Sequence, residues 1–167
     1  MNRGHYVVMG VAGSGKSLIG VALAQALAID FIEGDAYHPP ENVQRMSRGI
    51  ALTDDDRRGW LLALAERIGE AHEAGSGLVM TCSALKRSYR DILRTPSREL
   101  QFVFLKGPRA LIAERLAGRR GHFRNPSLLE SQFATLEEPG PDEGAWVCDI
   151  RQSPQDIVAS LVSRISA

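Results

Sequence analysis

Gly10-Val11-Ala12-Gly13-Ser14-Gly15-Lys16-Ser17 decides the fold. The stretch fits the pattern G-x-x-x-x-G-K-[S/T] at every fixed position. The apolar run Tyr6-Val7-Val8-Met9 precedes it, and Leu18, Ile19, Ala22, Leu23, Ala26 and Leu27 recur after it at helical spacing. Strand, glycine loop and helix in that order make an anion cradle. Glycines let the backbone curl so that several N–H groups face one phosphate. The helix beginning near Gly15 adds its positive dipole end. Lys16 supplies a mobile charge for the β- and γ-phosphates, and Ser17 a hydroxyl for Mg²⁺. The residues from Gly10 to Ser17 are therefore expected to bind ATP. The motif does not say what receives the phosphate.

Outward from the loop, short apolar runs alternate with helical patterns. Phe31–Ile32, Leu78–Cys82, Phe102–Leu105 and Trp146–Ile150 join Tyr6–Met9 as strand candidates. Several are continuous rather than alternating, as expected when both faces of a sheet are covered. Trp60, Leu61, Leu64, Ile68 and Ala71 share one helical face, as do Ile157, Val158, Leu161, Val162 and Ile165. The expected fold class is α/β: three layers, a parallel sheet between helices, with ligands beyond the C-terminal strand ends. A chain of 167 residues fits one such domain, spanning 1–167. Two segments break the rhythm. Residues 35–59 are polar, with Pro39–Pro40 and three consecutive aspartates, and residues 118–126 are rich in arginine. The first is expected to bind substrate and the second to act as a lid.

Composition narrows the partners. Twenty basic residues balance twenty acidic ones, so no basic field is available to hold nucleic acid. No apolar run approaches the ~20 residues of a membrane span, and the N-terminal run is too short for a secretory signal. Cys82 and Cys148 match no metal spacing and read as reduced, buried thiols in strands. These features point to the cytoplasm.

On the acceptor side, Phe31-Ile-Glu-Gly-Asp35-Ala-Tyr-His38 ends a strand in a carboxylate with a histidine close behind. Asp35 is the candidate base that orients a hydroxyl and takes its proton, although it also suits the cap of the next helix. In Thr53-Asp54-Asp55-Asp56-Arg57, capping explains one or two aspartates. Arg57, a cation in a first turn, fits the grip on an anionic or polyhydroxylated substrate better. Leu78–Cys82 delivers Ser83 to the ligand edge. No acid occupies 81–86, where many P-loop proteins place a metal-supporting aspartate, which leaves Asp35 and water to complete the shell around Ser17. Lys86, Arg87 and Arg90 open the next helix. Arg87 reads as solvated surface charge and Arg90 as functional. Arg115, Arg119, Arg120 and Arg124 cluster around Gly118 and Gly121. Arginines on a closing flap stabilise the charge of phosphoryl transfer. A helix C-terminus accounts for Arg115 and Arg119 as well, but less well for Arg124, which is assigned to catalysis. Asp149–Pro154, with Arg151, is the loop expected beside the adenine.

These residues carry a resemblance. Met9-Gly-Val-Ala-Gly-Ser-Gly-Lys-Ser, Glu33-Gly-Asp-Ala-Tyr-His-Pro, Leu52-Thr-Asp-Asp-Asp-Arg, Cys82-Ser-Ala-Leu-Lys and Gln132-Phe-Ala-Thr-Leu-Glu-Glu-Pro run in order from residue 9 to about residue 139. The chain resembles gluconokinases of the small P-loop type, relatives of shikimate and nucleoside monophosphate kinases. The resemblance implies transfer of phosphate from ATP with Mg²⁺ to the 6-hydroxyl of D-gluconate. It also implies a sheet in the order 2-3-1-4-5 and a homodimer. Catalysis is then assigned to Lys16, Asp35 and Arg124, and nucleotide binding to the loop with Arg115, Arg119 and Arg151. The acceptor falls to Asp35, His38, Arg57, Ser83 and Arg90, completed by Arg45, Asp56 and Gln132. Departures are small: Ala12 stands where Ser is frequent, and Glu33 where Asp is. A shikimate kinase is the neighbouring reading, but its Gly-Gly-Gly run is replaced here by Cys82-Ser83-Ala84. An ATP-binding module without an acceptor is the reading from another class, against which Asp35, His38 and Arg57 argue.

Overall fold

In a computed structural model, which describes residues 2–118 and 126–167, the apolar runs become the strands of a parallel sheet. They are β1 (His5–Met9), β2 (Asp30–Glu33), β3 (Leu78–Thr81), β4 (Gln101–Lys106) and β5 (Trp146–Asp149). The spatial order is β2-β3-β1-β4-β5. The helices are α1 (Lys16–Leu27), α2 (Pro40–Ser47), α3 (Asp54–Ala74), α4 (Arg87–Arg94), α5 (Arg109–Ala117), α6 (Pro126–Thr135) and α7 (Pro154–Ser166).

The unbroken apolar character of β1 follows from its central place. Tyr6 and Val8 join a core with Ile19, Leu23, Ile157 and Leu161, so α1 and α7 cover one face. Val7 and Met9 join the opposite core with Trp60, Leu61, Leu64, Ile68 and Leu93, so α3 and α4 cover the other. Each such side chain contributes roughly 1.5–3 kcal/mol on burial. The face expected for α3 is the face that is buried. That of α1 is shifted: Ile19, Gly20, Leu23 and Ala24 are buried, whereas Leu18 is 60% exposed. Leu18 lies in the first turn, at the ligand edge, and lines a cleft instead of the core.

Register sets the ligand edge. Glu33 pairs with Thr81, and Thr81 with Val8, so β2 and β3 end level with the start of the glycine loop. Thr53 caps α3 through a reciprocal box: its hydroxyl accepts from the Asp56 N–H at 3.1 Å, and the Asp56 carboxylate accepts from the Thr53 N–H at 2.9 Å. Both cysteines are free. Cys82 is buried one residue beyond β3, and burial pushes its thiol up to about 12. Cys148 is half-buried in β5.

Candidate active site

The loop from Gly10 to Ser17 turns as its glycines allow. Gly13 and Gly15 take φ of 81° and 97°, conformations that side chains other than glycine adopt at a cost. Gly15 is the N-cap of α1, so the first N–H groups of that helix face the loop mouth. The Lys16 ammonium donates to the carbonyls of Gly10 at 3.0 Å and Val11 at 3.1 Å, which places it across that mouth. Gln132 of α6 accepts from the Ala12 N–H at 2.6 Å and so holds the loop from above.

Two hydroxyls grip one carboxylate beside Lys16. Ser17 donates to Glu33 Oε2 and Thr81 to Glu33 Oε1, each at 2.7 Å. Thr81 also accepts from the Gly34 N–H at 3.1 Å. This approach requires glycine, because a Cβ at Gly34 would stand 1.9 Å from the Thr81 carbonyl oxygen. Glu33 is a functional candidate missed in the sequence. It carries the acid that 81–86 lacks, supplied from the neighbouring strand at the same level. Its position two residues before Asp35, at the end of a strand, was the available signal. Hydroxyl plus carboxylate suits Mg²⁺, which takes one or two protein oxygens and leaves its other positions to phosphates and water. Among the described residues no cluster of three or more acidic, His or Cys side chains could hold a metal by itself.

Lys16, Asp35, His38, Arg57, Ser83 and Gln132 line one cleft. Asp35 lies in a 3₁₀ turn, Gly34–Tyr37, and the N-cap of α2 is Pro39, so Asp35 is not that cap. Its carboxylate has no hydrogen-bond partner among the described residues. The His38 ring stacks on the Trp60 indole at 3.9 Å, and Trp60 donates to the Gly34 carbonyl at 2.8 Å. Burial lowers the His38 pKa to about 4; Arg57 works in the same direction and Asp35 against it. Arg57 is held in the cleft wall by Tyr89. Its guanidinium donates to the Tyr89 hydroxyl at 2.7 Å and lies 5.4 Å from the ring centroid. Tyr89 in turn donates to Asp54, which also pairs with Lys86 at 3.0 Å. The cation in the first turn of α3 is thus supported from α4, a partner 32 residues away.

Three residues expected at the acceptor site are placed elsewhere. Arg90 is fully buried, and its guanidinium donates to Glu143 at 2.7 and 3.0 Å and to the Ala84 carbonyl at 2.8 Å. It does not reach the cleft. It supports the turn at Ala84 (φ 46°), the residue after Ser83. Burial alone would raise the Glu143 carboxyl, but hydrogen bonds from Arg90, Arg94 and the Gly140 N–H hold it at about 2. Arg45 and Asp56 pair with each other at 2.7 Å, tying α2 to α3 outside the cleft lining, and Asp56 is occupied by the cap as well.

A second cleft, about 580 Å³, lies on the far side of the glycine loop. Leu18, Leu111, Arg115, Gln152 and Ile157 line it, and Arg115 is fixed by a 2.8 Å hydrogen bond to the Ile150 carbonyl. Its size lies within the range of small-molecule sites. Arg151 is not part of it. Its guanidinium turns to Asp149 at 2.7 Å, and that hydrogen bond, with one from the Arg151 N–H, holds the Asp149 carboxyl at about 2. Gln152 and Pro154 of the same loop face the cleft instead. Arg87 is exposed, as expected, and pairs with Asp142. Arg119, Arg120 and Arg124, with most of the 118–126 segment, lie outside the described residues.

A gluconokinase from Gluconobacter oxydans is 45% identical over 161 residues, which are 96% of this chain and 90% of that one. The chain belongs to the gluconokinase family. The thermoresistant gluconokinase of Escherichia coli is 43% identical over 96% of this chain and 92% of its own. A solved gluconokinase from Sinorhizobium meliloti superposes with a TM-score of 0.88 at 48% identity, covering 98% of this chain and 92% of that one. The shikimate kinase family model matches residues 12–166 of this chain. The chain is a kinase of this type, and its co-substrate is a nucleotide.

Proposed function

We propose that this protein is an ATP:D-gluconate 6-phosphotransferase. The oxygen of the 6-hydroxyl attacks the γ-phosphorus of ATP, the bond from that phosphorus to the β–γ bridging oxygen breaks, and the hydroxyl proton passes to Asp35. The products are 6-phospho-D-gluconate and ADP. The observation that carries the reading is the Asp35 carboxylate, without a hydrogen-bond partner among the described residues, in the same cleft as Lys16 and Arg57. A base, a phosphate-binding cation and a second cation for a carboxylate match a sugar acid with a terminal hydroxyl.

Each residue has a part in this reading. The N–H groups of the glycine loop and Lys16 hold the phosphates and take up charge as it moves to the leaving oxygen. Ser17, with Glu33 behind it, would hold Mg²⁺, which when bound neutralises phosphate charge. Arg57 pairs with the gluconate carboxylate, while His38 and Ser83 meet its hydroxyls. Residues 35–59 form the substrate-binding segment of a single domain, 1–167. The lid role expected of residues 118–126, with Arg119 serving the nucleotide and Arg124 the transferring phosphoryl group, belongs to the same proposal. Arg115 and the second cleft take the adenosine part of ATP.

The chain is further proposed to act in the cytoplasm as a homodimer, which sedimentation would test. Among the described residues no helix is long and apolar enough to cross a membrane. The decisive experiment is an ADP-release screen over gluconate, shikimate, glucose, glycerate and AMP. Gluconate is expected to stand well above the rest. Turnover of shikimate instead would move the acceptor reading to the neighbouring family.

A further inference from the structure

We propose that Asn42 is a positioning residue that holds His38 as its Nε2–H tautomer, which makes His38 a hydrogen-bond donor, not a base, toward an oxygen of the acceptor. The inference rests on the reading of the first cleft as the acceptor site.

The argument begins at the Asn42 amide, on a side chain only 4% exposed. One of its atoms lies 2.8 Å from the main-chain carbonyl oxygen of Asp56. A carbonyl only accepts, so that atom is the amide nitrogen. The same nitrogen lies 3.3 Å from His38 Nδ1. An amide NH₂ donates twice and has no lone pair to offer. With one hydrogen on Asp56, the other points at Nδ1, which must then present its own lone pair. A neutral imidazole with a bare Nδ1 carries its hydrogen on Nε2. The doubly protonated ring would set an N–H of His38 against an N–H of Asn42.

The surroundings keep this arrangement in place. Asp56 is held by the capping box at the start of α3, so the carbonyl that orients Asn42 is fixed. The imidazole lies flat on Trp60, 19° from parallel, and Trp60 is itself anchored to Gly34. Stacking and the Nδ1 contact together fix both the plane and the edge of the ring. Nε2, on the other edge, has no hydrogen-bond partner among the described residues, and His38 lines the cleft with Asp35, Arg57 and Ser83. The charged groups that face His38 are Asp35, which favours its cation, and Arg57, which opposes it; burial decides, and the ring stays neutral down to about pH 4.

The consequence is a division of labour between neighbours. Asp35 accepts, and takes the proton of the hydroxyl that reacts. His38 donates, and selects an oxygen that offers a lone pair.

The test is a long-range ¹H–¹⁵N correlation spectrum of the full chain labelled with [¹⁵N]histidine. The four histidines are few enough to assign, and His38 is identified by the signal missing from His38→Gln. The expected result is the Nε2–H pattern for His38, unchanged between pH 8 and about pH 5. Asn42→Asp, whose carboxylate accepts from Nδ1, should switch the ring to Nδ1–H or to the cation. In the same variant the KM for gluconate should rise roughly tenfold or more while the KM for ATP stays within about twofold. His38→Gln, which keeps an N–H near the Nε2 position, should retain gluconate binding better than His38→Phe, which keeps only the stacked ring. If Asn42→Asp does not fold, Asn42→Ala serves, with the expected result a mixture of both tautomers. An Nδ1–H pattern in the unaltered protein overturns the lock. A His38→Phe enzyme with an unchanged KM for gluconate overturns the donor role. The spectrum is recorded without substrate, so it upholds or overturns the lock whichever acceptor the enzyme uses.

Discussion

Replacing Arg57 with alanine removes the one cation of the acceptor cleft that stands apart from the phosphate loop among the described residues. The guanidinium is already oriented by the Tyr89 hydroxyl at 2.7 Å and by the ring face. Little freedom is therefore lost when a carboxylate binds, and most of the interaction survives as affinity. Hydrogen bonds to a charged group contribute ~1.5–3 kcal/mol, and a carboxylate left in the cleft without its partner adds a desolvation cost. A total of about 3 kcal/mol corresponds to roughly 100-fold in kcat/KM. Glucose has no carboxylate, so its already low kcat/KM should change by less than about threefold. The fold should be little affected, because Tyr89 keeps its hydrogen bond to Asp54. The assay is coupled ADP release with gluconate and with glucose, on the unaltered protein and on Arg57→Ala, with melting temperatures in parallel. An equal fall for both substrates would refute the carboxylate argument and make Arg57 a general scaffold of the cleft.

Lys16→Ala should abolish transfer, a loss of ~3 kcal/mol or more in the transition state, without unfolding the chain; normal turnover by the folded variant would remove the nucleotide half of the account. Asp35→Asn should lower kcat by ~10²–10⁴-fold and leave ATP binding nearly unchanged. A fall of less than about tenfold in kcat would reduce Asp35 to a contact. Arg90→Ala should destabilise the protein by about 3 kcal/mol, because it strips a buried carboxylate of one partner while Arg94 keeps the other. That corresponds to a Tm lower by about 6–12 °C, with the gluconate-to-glucose ratio unchanged in the folded fraction. Glu143 also gives the fold an acid limit. Its folded pKa, about 2, lies below the ordinary 4.5. Its contribution is therefore complete above about pH 4.5 and is lost as pH falls toward 2, and urea unfolding across that window should show this loss blunted in Arg90→Ala.

Local features of this chain were readable from sequence because their physics is local. The glycine loop, the strand before it and the helix after it are contiguous, and the Thr53 cap closes within four residues. The strand runs fell within one residue at each end because a sheet covered on both faces demands unbroken apolar segments. The order of the strands came from the family resemblance rather than from the pattern. What was missed depends on distant partners. Arg90, a cation at a helix start, reads as a substrate contact from sequence, but its carboxylate partner lies 53 residues further on, in the loop after α6. Glu33 gained its place from register, through hydroxyls on α1 and β3 that the β2 segment alone does not reveal. Arg45 and Asp56, both expected to face substrate, satisfy each other across the α2–α3 connection. Leu18 followed the helical period but sits where α1 projects past the sheet, so its face meets a cleft instead of the core.

The central claim is phosphoryl transfer from ATP to the terminal hydroxyl of D-gluconate, and the most direct measurement is the ³¹P spectrum of the product formed from the two with Mg²⁺. Phosphate on a primary carbon couples to two protons and appears as a triplet, while phosphate on a secondary carbon appears as a doublet. The account predicts a single triplet, in one-to-one proportion to the ADP released. A doublet would contradict the assignment of the 6-hydroxyl, and ADP accompanied only by inorganic phosphate would contradict the transfer itself.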